Sequence, residues 1–340
     1  MAKPVRISLA LQGGGAHGAF TWGVVDKLLQ QKDVEIAGIS GTSAGALNGA
    51  ALKAGLVLNG RDGARDNLAW LWNQVGGVGD MRLVNWMSAL FPSPGIISQG
   101  IEYSLPYSVA DAWTRMVSPY AYGPFYQNPL TRIADAFRYD DVCADRDPAF
   151  FVSATNVRTG KIRVFSGKEI NTDVILASAC LPTIFQAVSI EGEDYWDGGY
   201  TGNPALFPLF SNKLPSDIVI VNINPLERPD TPRDARDILN RINEISFNSS
   251  LLRELRAIHF VQRLIAEGTM PKGAMKEVRV HMIADDDLMN ELSVASKLVP
   301  TPATLNALFE AGQRAGEKFL DAHRPKLGKM SSVDLPEMYG

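Results

Sequence analysis

The sequence predicts an α/β fold with a mostly parallel central sheet, and three observations carry that prediction. Short apolar runs of strand length alternate with longer stretches of helical periodicity. Two of those runs end directly in glycine-rich turns that open helices, GGGAHG after residue 12 and GTSAG after residue 40. The chain has 340 residues, 46% of them apolar, enough to bury a large core.

The elements follow in order. Residues 7–11 read as a short buried strand, and residues 16–30 as its helix, with Phe20, Val24, Val25 and Leu28 at helical spacing. Residues 36–40 are a second strand, and residues 44–54 a helix of small residues; residues 67–75 read as another helix. From 81 to 126 the character changes, with nine aromatics and five prolines that no regular element accommodates. This segment reads as an inserted cap or lid. Strands return at 150–154, 161–165 and 217–222, with a helix at 173–179 between them. A polar linker, NPLERPDTPRDARD, leads to a helical pattern over 238–266, a strand at 278–283 and a helix over 302–323. Residues 325–340 are polar and read as a loose tail. The expected division is a core over 5–225, an α/β extension over 226–324 packed on it, and the tail.

Composition narrows the function classes. The net charge is −4 and no basic block stands out, which argues against a nucleic-acid partner. Two cysteines, Cys143 and Cys180, cannot form a disulfide framework or a zinc site. His17, His259, His281 and His323 lack metal-ligand spacing, so neither a metal nor another cofactor is expected. The first apolar run is too short for a secretory segment, and no stretch is apolar enough to span a bilayer. The expectation is a soluble cytoplasmic protein of unspecified oligomeric state.

The glycines of GGGAHG match G-x-G-x-x-G, the turn of a dinucleotide site. That reading needs an acidic residue at the end of the second strand, where this chain has Gly41-Thr42-Ser43-Ala44-Gly45. G-x-S-x-G between a strand and a helix is instead the arrangement of a nucleophile elbow. It exposes the Ser43 hydroxyl at a helix N-terminus, where developing negative charge is favoured. Consecutive glycines aim backbone N–H groups at one point, so the first loop suits an oxyanion. A base for Ser43 is available as Asp197 in YWDGGY, whose alternative reading is a hairpin turn. A Ser–Asp–His order would add His259 or His281, yet these read as helix-face and strand residues.

Taken together, GGGAHG, GTSAG, SATNVRTGK, ASACLPTIFQAV and DGG resemble, in that order, the patatin-like family of lipid acyl hydrolases. The likeness spans about 5–209. It implies a three-layer α/β sandwich and a Ser43–Asp197 dyad without histidine. It also implies an oxyanion hole from the amides of Gly13, Gly14, Gly15 and Ala44. The family usually has Lys or Arg where this chain has His17, which would make any charge there titrate near ~6.5. The implied substrates are phospholipids or lysophospholipids, with the aromatic insertion lining an acyl groove or touching a bilayer surface transiently. Two alternatives share these residues: a small-ester or polyester hydrolase using the same dyad, and a non-catalytic anion- or nucleotide-binding protein.

Overall fold

The computed structural model describes residues 3–78, 118–271 and 273–339. They contain an eight-stranded sheet: β1 (Val5–Leu11), β2 (Val34–Gly41), β3 (Ala149–Asn156), β4 (Ile162–Ser166), β5 (Val188–Ile190), β6 (Glu193–Asp197), β7 (Asp217–Val221) and β8 (Arg279–Ile283). Its strand order is β5-β6-β3-β2-β1-β7-β8, with β4 also on β3. The central pairs β3–β2–β1–β7–β8 are parallel, and β4, β5 and β6 join antiparallel. The principal helices are α1 (Gly18–Leu29), α2 (Ala44–Val78), α3 (Thr172–Ser178), α4 (Ala235–Ala266), α5 (Val294–Leu298) and α6 (Pro302–His323).

Side-chain alternation along the strands sorts the core into two faces. Ile7, Leu9 and Leu11 of β1 and Val219 and Val221 of β7 join a cluster with Phe20 and Val24 of α1, Leu52 of α2 and Leu308 of α6. Ala10, Ile218 and Ile220 point the other way, onto Leu251, Leu255 and Ile258 of α4. Each such Leu or Ile contributes about 1.5–3 kcal/mol on full burial. Helices therefore cover both faces, which makes the three layers.

Strand pairing also brings two turns together. Ala154 of β3 pairs with Arg163 of β4 on one edge and with Asp197 of β6 on the other. Val152 pairs with Phe165 of β4 and with Gly41 of β2. Thus β2 and β6 share one edge of β3, approaching from opposite directions and ending two residues apart. The turn after β2 and the turn after β6 meet there.

The helices expected at 44–54 and 67–75 are both present, longer than expected, and together make α2, which breaks between them at Asn59 and Gly60, where Gly60 takes φ 60°. The polar tail is docked: Leu327 and Leu335 are buried, and Ser332 N–H donates to the Val280 carbonyl at 3.1 Å. Its composition hid the effect of two well-placed leucines. Most of the expected lid, 81–117, lies outside the described residues. Its described end, Pro119–Phe125, is a 3-10 turn. There the hydroxyls of Tyr120 and Tyr126 accept the amides of Ala187 and Gln186 at 3.0 and 3.2 Å. Among the described residues, no helix is long and apolar enough to cross a membrane, and no cluster of metal-ligating side chains occurs.

Candidate active site

Ser43 sits where β2 hands over to α2. Its φ of 55° is left-handed, a conformation that non-glycine residues adopt at a cost of about 1–3 kcal/mol. Hydrogen bonds hold it there. Ser43 N–H donates to Ser178 Oγ at 2.9 Å, and the Ser43 carbonyl accepts from Ala46 and Leu47 N–H at 2.9 and 3.1 Å. Thr42 Oγ1 donates to the Gly202 carbonyl at 2.7 Å and lies 2.5 Å from Ser153 Oγ, tying the turn to β3 and to the loop after β6. The strained turn leaves the serine buried, with only 8% of it exposed.

The glycine loop lies against this serine. A Cβ on Gly13 would fall 2.6 Å from Ser43 Cβ and 2.8 Å from the Thr42 carbonyl, so only glycine permits the approach. Gly15, at φ 59°, then turns the chain towards α1. Asn203 clamps Gly13 from both sides, accepting its N–H on Oδ1 at 2.6 Å and donating Nδ2 to its carbonyl at 3.3 Å. Asn224 Nδ2 donates to the same carbonyl at 2.8 Å. Among the described residues, no hydrogen bond engages the amides of Gly14, Gly15 or Ala44. Of the four amides expected to face an oxyanion, three are free and that of Gly13 is committed to Asn203.

Asp197 closes β6 and is fully buried. Its backbone N–H donates to the Cys180 carbonyl at 2.8 Å, and its own carbonyl accepts Thr155 Oγ1 at 2.8 Å. Oδ1 accepts Gly199 N–H at 2.7 Å. Oδ2 is buried without an aligned hydrogen bond, although the Ser43 hydroxyl is near enough to favour the ionised form. Burial pushes the carboxyl up to about 7, against the opposing pull of Gly199 N–H and Ser43. The hairpin turn of this region lies elsewhere, between β5 and β6.

The histidines sit apart from the pair. His281 is buried on β8, with Nε2 3.0 Å from Asp217 Oδ1, at the opposite end of the sheet. His259 lies on α4 among residues of the C-terminal segment. His17 is buried and bonds Ser296 Oγ at 2.7 Å. Ser296 donates its own proton to the Ser293 carbonyl, so His17 carries its hydrogen on Nε2. Burial, Lys297 and Arg228 push its pKa well below the usual value. The titration expected near ~6.5 is therefore displaced downward, and His17 stays neutral.

The residues that sequence reasoning missed are the supports: Gln12, Ser178, Asn203, Asn224 and Lys297. Gln12 Oε1 accepts Ile223 and Asn224 N–H at 2.9 and 3.1 Å, joining the ends of β1 and β7. A signal was present, because polar residues just past the carboxyl ends of parallel strands are where α/β sites gather.

These features define an α/β protein whose site is built at the carboxyl edge of a mostly parallel sheet. The patatin-like phospholipase family profile matches residues 9–210, over half of the chain. The chain belongs to the patatin-like phospholipases, a family of lipid acyl hydrolases. Among solved structures it is similar to VipD from Legionella pneumophila, at 14% identity and a TM-score of 0.42, over 95% of this chain and 68% of that one. It is also similar to the ExoU–SpcU complex of the Pseudomonas aeruginosa type III secretion system, at 14% identity and a TM-score of 0.30, over 99% and 75%. No curated protein sequence matches.

Proposed function

We propose that the protein is a serine acyl hydrolase that cleaves acyl esters of phospholipids or lysophospholipids through Ser43 and Asp197. The observation that carries this reading is the pairing of a strained elbow serine with a buried carboxyl that the serine hydroxyl is near enough to favour in its ionised form, and one of whose oxygens has no hydrogen bond. Asp197, with a pKa of about 7, is roughly half ionised at neutral pH, far more basic than an ordinary carboxylate.

In this reading Asp197 Oδ2 takes the Ser43 proton as Oγ attacks the ester carbonyl. The oxyanion is held by the amides of Gly14, Gly15 and Ala44, at the N-terminus of α2, where the helix dipole adds to the field. Collapse expels the alcohol, which recovers the proton from Asp197, and leaves an acyl-Ser43 ester. Water, deprotonated by the same carboxylate, then releases the fatty acid and regenerates Ser43. Base catalysis of this kind contributes ~10²–10⁴ and each oxyanion donor ~10²–10³. The family supports the lipid substrate. The docking of Tyr120 and Tyr126 on residues 186–187, just before the β5–β6 hairpin, supports an acyl-binding role for the described end of the aromatic insertion.

Product analysis by mass spectrometry tests the proposal. Purified protein is incubated with mixed phospholipids, lysophospholipids and short-chain esters, with Ser43→Ala as the control. Fatty acid and lysolipid that disappear in the variant are the expected result. Turnover of short esters alone moves the reading to a small-ester hydrolase. Serine-independent release, or no product from any ester, overturns the dyad.

A further inference from the structure

Lys297 is held largely inside the protein, with 15% of its side chain exposed; burial lowers its pKa, and the charge of Glu244 opposes that. It lies on α5, far along the chain from the glycine loop, yet α5 meets that loop directly at two points and reaches it at a third through Asn224. Ser296 bonds His17 at 2.7 Å. The Lys297 carbonyl lies where a Cβ on Gly15 would stand, so loop and helix meet backbone to backbone. Lys297 Nζ donates to Asn224 Oδ1 at 3.0 Å, and Asn224 Nδ2 donates onward to the Gly13 carbonyl at 2.8 Å.

From this chain of contacts we propose that Lys297 is a positioning residue for the oxyanion loop, acting through the Asn224 amide. The inference rests on the Ser43–Asp197 reading above.

An amide has two orientations, and here every neighbour of Asn224 selects the same one. Its Nδ2 faces two acceptors, the Gly13 carbonyl and Gln12 Oε1 at 3.2 Å. Its Oδ1 faces the ammonium, which can only donate. A flipped amide would set oxygen against two oxygens and NH₂ against NH₃⁺. Lys297 thus locks the amide that holds Gly13, and Gly13 fixes the direction in which the next two amides point.

Its charge has a second use. The carboxylate facing it, Glu244 at 4.0 Å, already accepts Arg228 at 2.6 Å and Arg241 at 3.2 Å. Lys297 is therefore only partly neutralised. Its field reaches the loop, because Lys297 and Arg228 are the two charges that add to burial in depressing His17. The first turn after the glycines carries no charge of its own, since His17 stays neutral there, and a developing oxyanion would feel the lysine instead.

The experiment compares wild type with Lys297→Met, Lys297→Arg, Asn224→Asp and Ser43→Ala. It measures kcat and KM on a soluble short-chain ester, the labelling rate with a fluorophosphonate probe, and a thermal melt for each variant. Lys297→Met is expected to lower kcat and labelling roughly 10–100-fold, with KM within about threefold. Lys297→Arg, which still donates to Asn224 Oδ1 and keeps the charge, is expected to recover most of that loss. Asn224→Asp keeps the lysine contact but cannot donate to Gly13, and is expected to lose kcat like Lys297→Met. It also covers the case in which Lys297→Met does not fold. Wild-type kcat in a folded Lys297→Met or in Asn224→Asp overturns the proposal. So does a loss confined to KM, or an arginine variant no better than methionine. If Ser43→Ala still turns over and labels, it is the dyad reading that fails, and the lysine has no oxyanion loop to position.

Discussion

Replacing Asp197 with Asn is expected to stop turnover while making the protein more stable above neutral pH. The wild-type carboxyl is fully buried and is pushed from its ordinary 3.8 to about 7. In the unfolded chain it ionises freely above about pH 4. Each tenfold loss of acidity corresponds to about 1.4 kcal/mol, so the folded protein carries a penalty of roughly 4 kcal/mol once the pH exceeds the folded value. Asparagine removes that penalty, and its Oδ1 keeps the bond to Gly199. Its Nδ2 takes the place of the unpartnered Oδ2, and a buried donor without an acceptor costs about 1–3 kcal/mol. The net gain is therefore roughly 1–3 kcal/mol, or about 1–4 °C in Tm for a chain of this length.

The sign depends on pH in a way that isolates the cause. Below about pH 4 the wild-type carboxyl is neutral both folded and unfolded, and the variant has no advantage. The advantage opens as pH rises from about 4 to about 7 and is complete above that. Melts of both proteins at about pH 4 and about pH 8, by circular dichroism, check this directly. The same ionisation governs rate. Wild-type kcat/KM is expected to climb tenfold per pH unit towards about 7, and to stand roughly 100-fold below its plateau at about pH 5. A variant less stable than wild type at about pH 8, or a stability gap equal at both pH values, refutes the argument.

Three further outcomes follow from the geometry. Gly13→Ala sets a methyl 2.6 Å from Ser43 Cβ, and steady-state kinetics should show kcat down by about 100-fold or more. His17 is held neutral by burial, Lys297 and Arg228. Its ring signals should show no titration between about pH 6 and 8 when followed by NMR. Burial raises the Asp217 carboxyl, but its bonds to His281, Arg279 and Gly328 N–H bring it down to about 2. That stability is present above about pH 4 and lost as pH falls through about 2. Asp217→Asn should lower stability at neutral pH by about 3 kcal/mol in urea melts, with kcat unchanged, because the cluster sits at the end of the sheet away from Ser43.

Much of this site was legible because Ser43 and Asp197 occupy turns, and turns leave marks in sequence. Ser43 stands in G-x-S-x-G after an apolar run, and Asp197 stands before two glycines. Both patterns reflect backbone that must approach other backbone closely. Strand pairing was less legible. Nothing local in β6 says that it shares an edge of β3 with β2, although that is what brings the two turns together. The docked tail was misread for a related reason: two buried leucines outweigh a polar average.

The supports were the least legible, because their logic is long-range. Asn203, Asn224 and Lys297 reach Gly13 and Gly15 from across the sequence, and each is an ordinary residue in its own segment. Their arrangement explains why the glycine loop needs so much support. Glycines leave amides free to point anywhere, so a loop of three adjacent glycines has no preferred direction of its own. An oxyanion site works only if its donors are fixed before charge develops. Here Asn203 takes the Gly13 amide out of use as a donor and, with Asn224, grips its carbonyl, and the amides of Gly14 and Gly15 are left free. In the proposed reaction the glycine pattern marks the place where the oxyanion would be held; the buried polar frame around Gly13 is what fixes the direction of that loop.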